Sequence, residues 1–147
     1  MIKEKTQRHQ EPQKRADLTH INSLRLMNTW FRSIRRSDPK VIADLYSADS
    51  ELKGDFHKAV VKGHTNVFDF YQDLYAQALD QTLYVNIHAV YENPNGKGFM
   101  GSYVLIYRDH DGEINVIPID FEMEMDETGR KIKYHKASID HDSPVLK

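Results

Sequence analysis

The stretch that decides the fold is residues 83–140, LYVNIHAVYENPNGKGFMGSYVLIYRDHDGEINVIPIDFEMEMDETGRKIKYHKASID. Apolar and polar residues alternate over four segments of it, with the period of two that is typical of half-buried β-strands. Three links rich in Asp or Asn, each ending in Gly, separate these segments, at 93–96, 109–112 and 126–129. Such residues favour the tight turns of β-hairpins. The sequence therefore predicts four strands joined as an antiparallel meander, over 83–92, 99–108, 113–125 and 131–140.

The residues ahead of this stretch show the helical period instead. Between 17 and 36, apolar residues recur every three or four positions and form one stripe of a predicted helix. Asp38 followed by Pro39 is typical of a helix N-terminus, which predicts a short second helix. A third helix is predicted from Gly63, and residues 47–62 are predicted to be loop or short strand. Together these elements indicate an α+β domain with three N-terminal helices packed on a strongly curved antiparallel sheet.

Length and composition indicate a single globular domain. The chain has 147 residues and a net charge of -2, so no excess of charge favours nucleic acid or an anionic membrane as a partner. It has no cysteine, which excludes disulfides and thiolate metal sites and fits a cytoplasmic location. No apolar run is long enough to span a membrane. We expect a flexible tail at 1–16, one domain at 17–142 and a second tail at 143–147, with no metal or cofactor.

The alternation of residues also assigns the faces of the last two strands. The more apolar faces, which should lie against the helices, carry Phe121, Met123, Met125, His135, Ala137 and Ile139. Asp120 has the opposite parity to Phe121, so it points outward unless a β-bulge lets both residues point inward. Parity alone leaves both orientations of Asp120 open.

The order of elements resembles the nuclear transport factor 2-like superfamily, a cone-shaped α+β fold. This superfamily includes ketosteroid isomerases, SnoaL-like polyketide cyclases, limonene epoxide hydrolases and non-catalytic association domains. The resemblance spans residues 18–140 and rests on Trp30 with Ser37-Asp38, on LYSAD at 45–49, on Gly63-His64 with Phe70-Tyr71, and on GRKI at 129–132. Because this fold hosts many chemistries, the resemblance implies the fold and leaves the function open.

Residues 116–120, Val-Ile-Pro-Ile-Asp, resemble the segment that carries the oxyanion-hole aspartate of the ketosteroid isomerases. In that family a carboxylate base moves a proton beside a carbonyl, and a tyrosine and a protonated aspartate bind the oxyanion. The resemblance matches Asp120 to the protonated aspartate. Trp30 stands at the position of the tyrosine and Gly54 at that of the base, with Asp55 one residue further on. Two of the three functional positions therefore differ from the family.

The last strand carries a partial match to the polyketide cyclases, which place a His-Trp-Asp-like group there. His135 matches the histidine, whereas Lys136 and Ala137 replace the other two residues. His135 and Asp120 lie on strands joined by one hairpin, which makes them the candidate catalytic residues for isomerase- or cyclase-like acid/base chemistry without a metal. The alternative is a core histidine and a surface aspartate, so whether the chain is an enzyme stays open.

The candidate ligand-binding residues are mostly aromatic or apolar side chains that would line the interior of the cone. They are Trp30, Tyr46, Phe56, Phe70, Phe121, Met123, Ala137 and Ile139. One hypothesis is a SnoaL-like or ketosteroid isomerase-like domain whose apolar pocket takes a small hydrophobic ligand, with a carbonyl-bearing molecule as one candidate. The alternative is a non-catalytic dimeric association or structural domain whose cone is filled by its own aromatic side chains.

A homodimer is expected from the outer face of the sheet. Apolar and aromatic residues predicted to be exposed there are Tyr84, Val90 and Tyr134, together with Ser138. Uncovered area of this kind usually marks an interface, and members of the resembling superfamily commonly dimerise through that face.

Overall fold

The computed structural model of the chain describes residues 2–55 and 59–144, and it describes side chains from residue 18 onward. The helices are α1 (Ile2–Ser33), a 3₁₀ turn (Ile34–Arg36), α2 (Pro39–Ala43) and α3 (His64–Ala76). The strands are β1 (Tyr46–Gly54), β2 (Val61–Lys62), β3 (Tyr84–Glu92), β4 (Gly98–Arg108), β5 (Ile114–Met125) and β6 (Ile132–Ile139).

The predicted meander is confirmed. Strands β3 to β6 pair antiparallel with their neighbours along the chain, and each begins and ends within one residue of its predicted bounds. The three Gly-ended links form the hairpin turns, and their glycines Gly96, Gly112 and Gly129 have the positive φ angles that such turns require. The short-range turn chemistry therefore sets the register of this half of the sheet.

The other half of the sheet differs from the prediction, because β1 pairs in parallel with β6. The full strand order is β2-β1-β6-β5-β4-β3, so the six-stranded sheet is mixed, whereas the meander alone predicts an antiparallel one. The segment YSADSELKG of β1 lacks a clean apolar alternation, so its sequence reads as loop or short strand. Its pairing partner β6 lies more than 80 residues further along the chain, and a local sequence pattern does not predict pairing over that distance.

Helix α1 is longer than predicted. It begins at Ile2, whereas the apolar stripe predicts a helix from Asp17. Residues 2–16 have no apolar period, but most of their side chains are Lys, Arg, Gln and Glu, which have good intrinsic helix propensity. Periodicity therefore misses this part of the helix. The division into tails and a domain at 17–142 stays a prediction.

The second helix begins as its sequence predicts. The Asp38 carboxylate accepts a hydrogen bond from the Lys40 backbone N–H at 3.0 Å, and Pro39 takes the first helical position. Ser37 ahead of it adopts a left-handed conformation with φ 58°. Its hydroxyl donates to the carbonyl oxygen of Gln81, which ties the turn between α1 and α2 to the residues that lead into β3.

The core lies between the helices and one face of the sheet, and the predicted inward set is confirmed. Phe121, Met123, Met125, His135 and Ala137 are buried, and Ile139 is half-buried. The buried cluster joins these strand residues to Trp30 and Phe31 of α1 and to Tyr71 and Leu74 of α3. The architecture is the curved α+β cone that the sequence predicts, with the helices covering its inner face.

None of the helices in the described ranges combines the length and the apolarity that are needed to cross a membrane.

Candidate functional site

Four buried polar side chains meet inside the cone and hydrogen-bond to one another. They come from four elements: Trp30 from α1, Tyr46 from the start of β1, Tyr71 from α3 and His135 from β6. The Trp30 indole N–H donates to the hydroxyls of Tyr46 at 3.1 Å and Tyr71 at 3.2 Å. The Tyr46 hydroxyl also lies 2.5 Å from that of Tyr71 and 2.6 Å from His135 Nδ1. We call these four residues the buried network.

The two tyrosines of the buried network remain neutral phenols. Burial raises the pKa of Tyr46 far above its ordinary value, and it raises the pKa of Tyr71 in the same way. Each residue of the buried network is at most 2% exposed, so the hydrogen bonds among them replace those that water would make. The network is therefore a hydrogen-bonded polar cluster among the apolar side chains of the core.

A small cavity borders the buried network. It has a volume of about 20 Å³, which is room for about one water molecule. Its lining is mostly apolar and aromatic: Trp30, Ile34, Leu52, Lys53, Phe70, Tyr71, Leu74, Tyr103, Leu105, His135 and Ala137. In this conformation the described residues leave space for a single atom-sized group, and aromatic side chains fill the rest of the cone.

The structure places Asp120 on the outer face of the sheet, away from the cone. The pairing of β5 with β4 and β6 continues without a bulge through Asp120 and Phe121, so the two side chains point to opposite faces. Asp120 is exposed and pairs with Ser102 and Ser138, whereas His135 pairs with Met123. Desolvation and the neighbouring Asp140 raise the pKa of Asp120. The structure therefore does not bring Asp120 and His135 together.

The position that matches the isomerase base cannot carry a side chain. A Cβ atom on Gly54 would lie 1.7 Å from the carbonyl oxygen of Ala137, because the end of β1 approaches β6 closely. Asp55, one residue further on, is exposed, and its carboxylate accepts a hydrogen bond from the Ile139 backbone N–H at 2.7 Å. Its carboxylate thus fixes the end of β6.

The other predicted ligand-binding residues divide into two groups. Trp30, Phe70 and Ala137 line the cavity together with His135, and Tyr46 reaches it through its hydrogen bonds. The second group does not line this cavity: Phe121 and Met123 are packed in the core, and Ile139 is half-buried beside it. Phe56 lies outside the described residues.

Sequence reasoning missed one side chain at this site, Tyr103, which lines the cavity and whose ring centroid lies 5.8 Å from that of Trp30. A tyrosine on the core-facing side of a strand is the signal that could have found it, because the phenol ring packs in the core. Tyr71, which the sequence places with Phe70 among the aromatic side chains that would line the mouth of the cone, belongs to the buried network.

A second, larger groove lies beside the middle of α1, at Thr19, His20 and Ser23. It has a volume of about 410 Å³ and runs between α1 and the hairpin turns of the sheet, with lining residues of both charges that include His20, Glu92, Lys97, Glu127 and Lys133. His20 pairs with Glu92 at 3.2 Å across it. Within the described ranges, no three His, Cys, Asp or Glu side chains come together as a set that could hold a metal ion.

The chain is similar to proteins of known structure. No family model matches the sequence, and no curated protein matches it. The Mycobacterium tuberculosis protein RV0760c, solved in complex with estradiol-17beta-hemisuccinate, is similar with a TM-score of 0.67 and 15% identity, over 79% of this chain and 92% of that one. The delta 5-3-ketosteroid isomerase of a Mycobacterium species has a TM-score of 0.65 and 15% identity, over 79% of this chain and 91% of that one.

A third similar structure comes from a different functional class. A Xanthomonas campestris protein described as a calcium/calmodulin-dependent protein kinase II association domain has a TM-score of 0.63 and 17% identity, over 80% of this chain and 85% of that one. The chain thus has the nuclear transport factor 2-like fold of ketosteroid isomerase-like and SnoaL-like proteins, some of which were solved with small ligands. At these identities the similarity shows the fold alone.

Proposed function

We propose that this chain is a binding domain for a small, mostly apolar molecule that bears a carbonyl or similar oxygen. The observation that carries the proposal is the buried network, three of whose residues, Trp30, Tyr71 and His135, line a mostly apolar cavity. A few polar groups in the lining of an apolar cavity are typical of small-molecule sites. The structural neighbour solved with an estradiol derivative supports the same ligand class.

The size of the cavity limits how such a ligand binds. About 20 Å³ accommodates one oxygen-sized group, so a ligand with a larger apolar body needs movement of the lining side chains. Among the aromatic side chains of this lining, Phe70 is half-buried, whereas Trp30, Tyr71 and Tyr103 are buried. A steroid-sized molecule needs more space than the described residues leave in this conformation.

The only tryptophan of the chain, Trp30, lies in the buried network and gives a direct test. Its indole N–H is a single resonance in a ¹H–¹⁵N spectrum of labelled protein. Titration with cyclohexanone and with acetophenone is expected to shift this resonance in a saturable way. In an Ala137→Leu variant, whose larger side chain fills the cavity, the shift is expected to disappear. If neither ketone moves the wild-type resonance, the binding proposal is wrong.

The second candidate function is a non-catalytic association or structural domain. The observation that favours it is the nearly filled cone, in which Trp30, Tyr46, Tyr71 and His135 occupy space that a ligand would need. The similar association domain of Xanthomonas campestris supports this class. Absence of ligand binding, together with a stable assembly of copies in solution, would favour this candidate over the first.

We also propose that the chain forms a homodimer through the outer face of the sheet. The register places Tyr84, Met100, Ile106, Ile114 and Val116 on that face, and four of them are exposed large hydrophobics. An apolar surface of this extent is typical of an interface. Val90 does not belong to it: the register shift between Ile87 and Ala89 pairs Val90 with Gly101, on the face that carries the helices.

A further inference from the structure

We propose that Asn95 is a site of spontaneous deamidation, that its hydrogen bond to Glu124 slows the reaction, and that the product releases the β3–β4 turn from β5. Asn95 precedes Gly96, and no other asparagine of the chain precedes a glycine. An asparagine reacts most readily before glycine, because glycine has no Cβ atom to hinder attack by its own backbone nitrogen. This turn borders the larger groove beside α1 and is separate from the buried network.

The reaction needs only water and hydroxide besides the chain itself. The backbone nitrogen of Gly96 loses its proton to hydroxide and attacks Cγ of Asn95. A bond forms between this nitrogen and Cγ, the bond from Cγ to Nδ2 breaks, and Nδ2 takes up a proton and leaves as ammonia. The product is a five-membered succinimide. Water then opens either of its two carbonyls, which gives aspartate or isoaspartate and adds about 1 Da to the chain.

The turn exposes the reacting atoms and orients the side chain of Asn95. Asn95 and Gly96 are exposed, and a Cβ atom on Gly96 would meet nothing within 4 Å, so water and hydroxide reach this position. Asn95 Oδ1 accepts a hydrogen bond from the Lys97 backbone N–H at 2.9 Å, which closes a ring of atoms that contains both Cγ and the Gly96 nitrogen. The same bond stabilises the negative charge that develops on Oδ1 during the attack.

The folded turn also restrains the reaction. Nδ2 of Asn95 donates to Glu124 Oε1 at 2.6 Å, so this bond holds the nitrogen that leaves as ammonia. The Gly96 N–H donates to the Asn93 carbonyl oxygen at 2.8 Å, so the proton that must leave is held as well. Because Asn95 and Glu124 are 29 residues apart in the sequence, only the tertiary structure provides the first restraint.

The product loosens the attachment of the turn to β5. Two asparagines of the turn donate to this strand: Asn93 to Glu122 at 3.0 Å and Asn95 to Glu124 at 2.6 Å. A carboxylate at position 95 has no donor for Glu124 and repels it, and isoaspartate also lengthens the backbone of the turn by one carbon atom. Since Gly96 and Glu124 line the larger groove, the modification changes the rim of that groove as well.

Mass spectrometry of the full-length protein during incubation in mildly alkaline buffer tests the site. We expect the chain mass to rise by about 1 Da, and fragmentation to place the change at Asn95 with both aspartate and isoaspartate as products. Asn93 is the matched control, because it also donates to a glutamate of β5 but precedes Pro94, whose nitrogen carries no hydrogen. If Asn95 keeps its amide through several weeks of incubation, the proposal is wrong.

Two variants test the restraint by Glu124. Glu124→Ala removes the acceptor of Nδ2, and we expect Asn95 to deamidate about 3- to 10-fold faster than in the wild-type protein. Glu124→Gln keeps an acceptor oxygen and should stay closer to the wild-type rate. An unchanged rate in Glu124→Ala overturns the restraining role of this residue.

Asn95→Asp places the aspartate product in every molecule and tests the release of the turn. We expect it to lower the melting temperature by about 2–5 °C and to speed amide hydrogen exchange at Asn93 and Met125, whose N–H groups donate to Gly98 and Lys97. Asn86→Asp is the control, because it adds the same charge at an exposed side chain for which the described residues show no hydrogen bond. Equal melting temperatures and exchange rates in the two variants contradict the release.

Discussion

At the scale of single residues, the buried network is a group of polar side chains that hydrogen-bond to one another inside the cone. The Trp30 N–H is shared between the hydroxyls of Tyr46 and Tyr71. The oxyanion-hole chemistry implied by the Val-Ile-Pro-Ile-Asp segment is not assembled, because Asp120 lies on the outer face. Inside the cone, Nδ1 of His135 lies 2.6 Å from the Tyr46 hydroxyl.

The two tyrosine hydroxyls of the buried network should contribute different amounts to the free energy of unfolding. Tyr46 has three hydrogen-bond partners and Tyr71 has two, so Tyr46→Phe should lower the free energy of unfolding by about 1–3 kcal/mol and Tyr71→Phe by somewhat less. Urea unfolding measures both. Tyr103→Phe, in the same part of the core, should cost clearly less than Tyr46→Phe. Equal costs for all three variants would mean that the hydrogen bonds do not contribute.

Gly54 should tolerate no side chain. A Cβ atom there would overlap the Ala137 carbonyl at 1.7 Å, so Gly54→Ala must separate β1 from β6 and should lower the free energy of unfolding by about 3 kcal/mol or more. Gly96→Ala is the control, because a Cβ there meets nothing within 4 Å and only its φ of 75° is strained. Thermal unfolding compares the two variants. A Gly54→Ala protein as stable as Gly96→Ala would contradict the close approach of the strands.

Asp120 should make stability depend weakly on pH. Desolvation and Asp140 raise its pKa on folding, so the folded chain holds the proton more tightly than the unfolded chain, and the ionised carboxylate costs stability as the pH rises. Asp120→Asn should therefore raise the melting temperature slightly at about pH 7 and leave it unchanged at about pH 3. A lower melting temperature at about pH 7 would show instead that the ionised carboxylate makes a stabilising contact.

Asp109 provides a control of opposite sign for this measurement. The Asn115 side chain and the backbone N–H of Glu113 donate to its carboxylate and lower its pKa. The stability that it contributes is present above its unfolded pKa and is lost as the pH falls through the folded value. Asp109→Asn should therefore lower the melting temperature at about pH 7, and this difference should shrink as the solution is acidified.

At the scale of elements, local turns determine one half of the sheet and long-range pairing determines the other. Hairpin turns with Gly at positive φ set the register of β3 to β6, and these elements appear where the local pattern predicts them. Strand β1 is different, because it joins β6 in parallel across most of the chain, and the close approach at Gly54 and the Asp55 bond to Ile139 secure that pairing. Parallel pairing of this kind needs a long crossover, which local pattern does not reveal.

The start of α2 offers a prediction for one element. The Asp38 carboxylate accepts from the Lys40 N–H, so Asp38→Ala should lower the free energy of unfolding by about 1 kcal/mol, whereas Asp38→Ser keeps an acceptor and should lose less. Chemical denaturation of the two variants against wild type gives the comparison. If alanine and serine cost the same, the side-chain cap contributes nothing to α2.

At the scale of the whole molecule, the two faces of the sheet differ in burial. The inner face and the helices enclose the core and the buried network, while the outer face exposes large apolar side chains. The same face also carries charged residues, such as Asp120, which pairs with Ser102 and Ser138, and Lys136, which pairs with Glu122. A second copy of the chain that covers this face would bury both kinds of residue.

The homodimer is tested by sedimentation at micromolar concentration, where we expect a species of twice the 17.2 kDa chain mass. Val116→Lys places a charge on the outer face and should shift the protein toward the monomer without unfolding it. Leu79→Lys changes an exposed apolar residue that follows α3 and belongs to no strand of the sheet, and it should leave the dimer intact. A wild-type protein that sediments only as the monomer contradicts the interface.

The sequence by itself determined the α+β class, the four meander strands, the start of α2 and the inward set of β5 and β6. These features depend on the hydrophobic period and on turn and cap residues, which act over a few neighbouring positions. The tertiary structure decided the parallel β1–β6 pairing, the outward position of Asp120 and the partners of His135. Such features depend on contacts between residues far apart in the chain: the 2.6 Å contact of Tyr46 with His135 joins positions 89 residues apart, and no local pattern encodes that distance.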